Sequence, residues 1–126
     1  GLQGTRPAEI LKLWLGLRQL GRDGIESLLQ GALDRRAELQ RQLSALPLTL
    51  RSGPLHLLAF TPSHLKAHEA EAWSVQTRQR LLEQQLMLSR PFYAGRHHLK
   101  AVLGNPNTRS TDLAAVASVI QDSLLT

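Results

Sequence analysis

The chain has 126 residues, a formal net charge of +5, 42% hydrophobic residues and no cysteine. Those figures suit one ordinary globular domain able to bury a core without staples, and they exclude disorder, a disulfide framework, a thiolate zinc site and a cysteine nucleophile. No apolar run approaches the roughly 18–20 residues of a membrane span, and no signal-peptide pattern is visible, so a cytoplasmic protein is expected. The chain starts at Gly1 and its single Met is Met87, so either a tag was removed or the segment is a piece of a longer protein.

Pro7 suits the first turn of a helix, where its missing N–H costs nothing. Ile10, Leu13, Trp14 and Leu17 continue it at helical spacing, and Gly21 is a stop signal. Asp23 can cap a second helix from about Gly24 to Leu46, with Ile25, Leu28, Leu29, Ala32, Leu39, Leu43 and Leu46 near one face. Pro47 ends it by pushing the preceding residue out of the α region. Leu48 to Leu50 and Leu55 to Phe60 read as strands, with the turn signal Gly53-Pro54 between them. A third helix is expected from about Leu65 to Gln85, its stripe formed by Leu65, Ala72, Val75, Leu82 and Leu86. Met87-Leu88 and Phe92-Tyr93 suggest a further strand interrupted by Pro91. His97 to Leu103 reads as a strand with Leu99, Ala101 and Leu103 on one face and Lys100 and Val102 on the other. After the break at Gly104-Asn105-Pro106-Asn107, the residues Leu113, Val116, Ala117, Ile120 and Leu124 mark an amphipathic helix. Strands with helices between them in so short a chain predict a two-layer α+β domain.

Candidate chemistry is sparse. His64 and His68 have the i, i+4 spacing of a helical metal pair, but no H-E-x-x-H pattern accompanies them, and surface histidines are the default reading. His97 and His98 are adjacent on a strand and point to opposite faces. There is no G-x-S-x-G elbow, and Gly21-Arg22-Asp23-Gly24 lacks the spacing and lysine of a phosphate loop. Glu69 and Glu71 diverge on their helix. Lys12 and Lys100 sit among apolar neighbours, where burial would alter their ionisation; otherwise each lays its stem on apolar surface with the charge in water. Arg supplies most of the positive charge, but it is scattered among Glu, Gln and Leu. A solvated helix surface is therefore expected, and a nucleic-acid partner is not.

Four stretches in order resemble the group II pyridoxal-phosphate-dependent amino acid decarboxylases. Thr5 to Leu15 (T-R-P-A-E-I-L-K-L-W-L) is similar to the family segment R-R-x-x-x-L-K-x-W. Leu20 to Ile25 follows as a G-x-x-G-like turn before a long helix. Leu55 to Phe60 looks like L-N-I-V-C-F. His98 to Thr108 (H-L-K-A-V-L-G-N-P-N-T) resembles V-L-R-F-x-I-G-N-P-x-T. The resemblance implies the small domain of a fold-type-I enzyme, with an antiparallel sheet of three to four strands covered by helices and preceded by a long N-terminal helix. It places the last large-domain helix and connector at residues 1–22 and the C-terminal small domain at residues 23–126.

The same resemblance implies a pyridoxal-phosphate-dependent carbon–carbon lyase as the parent, a homodimer acting on a small amino acid. The family's cofactor lysine follows a histidine directly, and no His-Lys pair exists here. No cofactor binding and no decarboxylation are therefore expected of this segment alone. Two residues are implied to approach the site: Thr5 at the cofactor phosphate of a partner subunit, and Lys100 at the substrate carboxylate. Lys100 stands where the family has Arg, Ala101 where it has Phe, and Pro7 where it has the second Arg. A lysine is a point charge without the planar bidentate fork. The alternatives are an Arg-rich module binding nucleic acid or protein, and an inactive decarboxylase-like scaffold.

Overall fold

The computed structural model describes residues 7–54 and 56–125, with side chains from Gly21 onward. Helix α1 runs from Pro7 to Leu43 and is broken at Gly21, whose φ of 72° and ψ of −175° lie outside helical space. That backbone region is essentially open only to glycine, so the expected stop appears as a kink between two helical stretches. Strands β1 (Leu48–Ser52) and β2 (Leu57–Pro62) form an antiparallel hairpin. Helix α2 (Ala67–Glu83) follows, then the short strands β3 (Phe92–Tyr93) and β4 (Arg96–His97), strand β5 (Leu99–Val102) and helix α3 (Ser110–Ser123).

The main sheet has the order β1-β2-β5, antiparallel throughout, and β3-β4 is a separate hairpin. The fold is the expected α+β small domain. Helix starts are set by acids: the Glu69 carboxylate accepts the backbone N–H of Lys66 at 2.8 Å, and Asp112 accepts that of Arg109 at 2.8 Å. Both place negative charge at the positive end of a helix dipole.

One face of the sheet builds the core. Leu58 and Phe60 of β2 and Leu99 and Ala101 of β5 are buried there, against Leu39 and Leu43 of α1, Trp73 and Leu81 of α2, and Leu113, Val116 and Ile120 of α3. Phe60 meets the Trp73 ring edge-on at 6.4 Å. The Trp73 indole N–H, which must find an acceptor when buried, donates to the Ser123 hydroxyl at 2.9 Å.

Several expectations need correction. The buried stripe of α2 is Ala70, Trp73, Ser74, Thr77 and Leu81, whereas Val75 is exposed. The large Trp73 and two small hydroxyl residues outweigh the scattered aliphatics that the sequence favours. The strand expected over His97 to Leu103 is divided at His98, which turns inward between β4 and β5. Met87 and Leu88 belong to a loop, although Ser89 exchanges backbone hydrogen bonds with Lys100 at 3.1 and 2.9 Å. The strand expected over Leu55 to Phe60 lies at Leu57–Pro62, and Leu55 falls outside the described residues.

The arginines, too, are less solvated than expected. Arg35 donates to the Leu103 carbonyl, Arg36 to that of Gly53 and Arg78 to that of Leu88, at 2.8, 2.8 and 3.1 Å. Arg96 reaches the carbonyls of Pro62 and Leu65. Arg90 donates to the Ser74 hydroxyl at 2.9 Å. These side chains close loops onto helices. Among the described residues, the ion pairs Arg22–Glu26 and Arg80–Asp122, at 3.5 and 4.0 Å, lie on the surface, where such pairs contribute little.

Candidate functional site

The second face of the sheet is uncovered by helices. Side chains of residues directly opposite in a ladder share a face. Ala59 pairs with Arg51 across β1–β2 and with Lys100 across β2–β5. Arg51, Ala59 and Lys100 therefore form a transverse row on the open face. Leu57 lies beside them on β2, and together they floor a groove of about 650 Å³.

The β3-β4 hairpin makes the wall at one end. Its turn, Tyr93-Ala94-Gly95-Arg96, places both central residues at positive φ, 52° for Ala94 and 80° for Gly95. That is what a two-residue type I′ turn requires. Arg96 ties the hairpin to the segment between β2 and α2, while Thr61 of β2 donates its hydroxyl to the His97 carbonyl at 3.0 Å. Phe92 packs edge-on against the His97 ring at 5.1 Å, and Tyr93 faces the groove.

His98 fixes the geometry beneath this wall. It is fully buried. Its Nε2 receives the Arg51 Nε–H at 3.2 Å, and its Nδ1 lies 3.1 Å from the Arg96 carbonyl. An arginine can only donate, so Nε2 accepts, and the proton sits on Nδ1 and is donated to the carbonyl. The imidazole is neutral in this arrangement. Burial holds its pKa below the usual histidine value, and the charges of Arg51, Arg96 and His97 act in the same direction against the opposing hydrogen bond to Arg96. The Arg51 guanidinium carbon lies 5.3 Å from the centre of the Tyr93 ring, a cation–π distance. Imidazole and phenol ring together hold Arg51 over the groove.

Of the two residues singled out by resemblance, Lys100 lies on the groove floor and is partly buried, so it is less solvated than an isolated surface lysine. Thr5 lies outside the described residues. No signal in the linear sequence joins Arg51, His98 and Tyr93, because their meeting depends on β1 and β5 flanking the same central strand. His64, His68 and Glu69 line a separate shallow notch with Trp73. Among the described residues no group of three or more His, Cys, Asp or Glu side chains is placed to hold a metal, and no helix is long and apolar enough to cross a membrane.

The geometry defines a small α+β unit with helices on one sheet face and a cationic groove on the other. Solved structures share this fold. The chain superposes on Oryza sativa TDC with PLP and tryptamine over 91% of its length, with a TM-score of 0.75 and 13% identity. It superposes on Catharanthus roseus tryptophan decarboxylase in complex with L-tryptophan over 89%, with a TM-score of 0.70 and 18% identity. The glutamate decarboxylase domain of diaminobutyrate-pyruvate transaminase and L-2,4-diaminobutyrate decarboxylase from Vibrio parahaemolyticus matches over 93%, with a TM-score of 0.67 and 18% identity. No family model matches the sequence, and no curated protein matches it. The chain thus has a fold found within the group II pyridoxal-phosphate decarboxylases, and it spans about a quarter of the length of these solved chains, 26%, 25% and 26% respectively.

A pyridoxal phosphate site needs an amine for the imine, donors for the phosphate and an acid at the ring nitrogen. The groove offers Lys100 and Arg51 but no carboxylate among its lining residues. The full donor set for the cofactor is not present there.

Proposed function

We propose that this chain is the C-terminal small-domain segment of a pyridoxal-phosphate-dependent amino acid decarboxylase, with residues 1–22 as the connector from a large domain and residues 23–126 as the small domain. The cofactor lysine and the acid for the ring nitrogen then come from the remainder of a longer protein, which acts as a homodimer in the cytoplasm. Thr5 approaches the cofactor phosphate of the partner subunit. The observation that supports this reading is the cationic row on the sheet face left bare by helices, in a fold that recurs in decarboxylases. A bare face carrying Leu57 and Ala59 between cations is suited to be one wall of a cleft whose other wall is a second domain.

In this reading Lys100 attracts and holds the substrate carboxylate. It acts as a point charge on a strand whose backbone is fixed on both sides, by Ala59 and by Ser89. The large domain would exclude water and strengthen that contact by lowering the local dielectric. Pyridoxal phosphate, when bound by the whole protein, supplies the electron sink for carbon–carbon cleavage.

The test is kinetic, in the full-length protein with pyridoxal phosphate. Lys100→Ala should lower kcat/KM by about 10- to 100-fold, the usual worth of a hydrogen bond to a charged group. Lys100→Arg should retain or improve carboxylate binding, because its fork matches a carboxylate. Absence of carbon dioxide release from any amino acid overturns the decarboxylase reading. Unchanged kinetics in Lys100→Ala overturn the role of this residue.

A further inference from the structure

The carboxylate role of Lys100 leaves a second cation on the same face without a task. Arg51 and Lys100 flank Ala59 in one row, two strand spacings or about 10 Å apart at their Cα atoms. The methyl of Ala59 leaves the space between them clear. Arg51 commits its Nε to His98 and its guanidinium face to Tyr93. Its two terminal nitrogens have no hydrogen-bond or ion-pair partner among the described residues, and neither does the Lys100 amine. Arg36 and Arg96, in contrast, end their terminal nitrogens on backbone carbonyls. No Asp or Glu lines the groove, so nothing there neutralises the pair. An arginine whose stem is oriented and whose forked end is left open is prepared for an oxyanion, which it can grip through two parallel hydrogen bonds.

We propose that Arg51 is a specificity-determining residue of this groove and that the substrate is an amino acid with two anionic groups. This rests on the reading of the groove as a substrate cleft. Lys100 holds one carboxylate, and Arg51 holds the carboxylate or other oxyanion at the end of the side chain. The Arg51 to Lys100 span accommodates a short aliphatic chain between the two charges. A substrate with a neutral side chain leaves the Arg51 fork without a partner once the cleft is closed, and the cost of an unpaired, desolvated charge then discriminates against it.

The experiment compares each acid with its own amide, which has the same shape and lacks the charge. In the full-length protein with pyridoxal phosphate, kcat/KM is measured for glutamate against glutamine and for aspartate against asparagine. Wild type should prefer one of the acids by about tenfold or more, and Arg51→Gln should reduce that acid-to-amide ratio by about tenfold or more, as expected for a lost charge-assisted contact. Arg51→Lys, which keeps the charge, should recover part of it. Circular dichroism checks that the variants fold; if Arg51→Gln does not, the Lys variant carries the comparison, and its ratio must still fall below that of wild type.

A second measurement is independent of turnover. Calorimetry on the same full-length protein should find glutarate bound at least tenfold more tightly than glutaramate, and the difference should disappear in Arg51→Gln. If amino acids are decarboxylated but the acids have no advantage, or Arg51→Gln changes acid and amide alike, the role of Arg51 is wrong and the decarboxylase reading stands. If nothing is decarboxylated while glutarate is still preferred through Arg51, the decarboxylase reading is wrong and the two-anion groove stands. Equal binding of glutarate and glutaramate overturns the groove's preference outright.

Discussion

His98 shows how one buried side chain governs a surface. Its Nε2 accepts from Arg51 only while the ring is neutral, because protonation would bring two N–H groups face to face. In the unfolded chain histidine has its ordinary pKa near 6.5, whereas burial lowers it in the fold. The unfolded state therefore takes up the proton first as pH falls. The stability associated with the neutral ring is fully present above the unfolded pKa, and it declines as pH drops below that value toward the lowered folded one. Urea denaturation between pH 8 and pH 5.5 should show this loss, and His98→Gln, which cannot titrate, should have a shallower slope. An equal slope in both proteins would show that His98 is not the group responsible. Lys100 was accessible to sequence reasoning because it lies in a recognisable strand pattern. His98 and Arg51 are 47 residues apart, and only the strand order β1-β2-β5 brings them together.

The elements differ in how strongly local sequence dictates them. Helix α3 follows its pattern: Leu113, Val116 and Ile120 are buried as the spacing predicts. Helix α2 does not, because its aliphatics are few and its inward face is built from Trp73 with Ser74 and Thr77. Ser74 donates to the Glu71 carbonyl at 2.7 Å and accepts from Arg90. Of the β3-β4 hairpin, the sequence predicts strand at Phe92-Tyr93, which forms as β3, but neither the turn nor the partner strand, since Ala94-Gly95 is a weaker turn signal than Asn-Gly. Both turn residues nonetheless adopt positive φ. A Cβ at Gly95 would meet no atom within 4 Å, so its substitution tests backbone strain alone. Gly95→Ala should cost about 1–2 kcal/mol, and Ala94→Asn should recover part of the strain already present at that position. Thermal melts should separate the two, at about 4–8 °C per kcal/mol for a domain of this size. If Gly95→Ala melts with wild type, the turn is not the I′ type described.

At the scale of the whole molecule, the proposed division of the chain near Gly21 is a statement about what folds as a unit. The core cluster described above draws on residues from Leu39 in α1 to Ile120 in α3, and Ala32 is the most N-terminal buried hydrophobic among the described side chains. Gly21 interrupts the helix before any of these, and Gly21, Arg22 and Asp23 are exposed. About a hundred residues with a sheet packed on three helices suffice for an independent cooperative domain. The part of α1 ahead of the kink would, in the proposed enzyme, pack on the large domain instead. A chain comprising residues 23–126 should therefore unfold in a single transition, with a urea m-value close to that of the 126-residue chain, since m follows the surface exposed on unfolding. Its midpoint temperature should differ by no more than about 4–8 °C, equivalent to about 1 kcal/mol. Trypsin should cut the intact chain after Arg22 before it cuts within the core helices, because cleavage favours exposed backbone with few contacts. A much lower midpoint or a markedly smaller m-value for residues 23–126 would show that the first helical stretch belongs to the same folding unit, and the boundary at residue 22 would then be wrong.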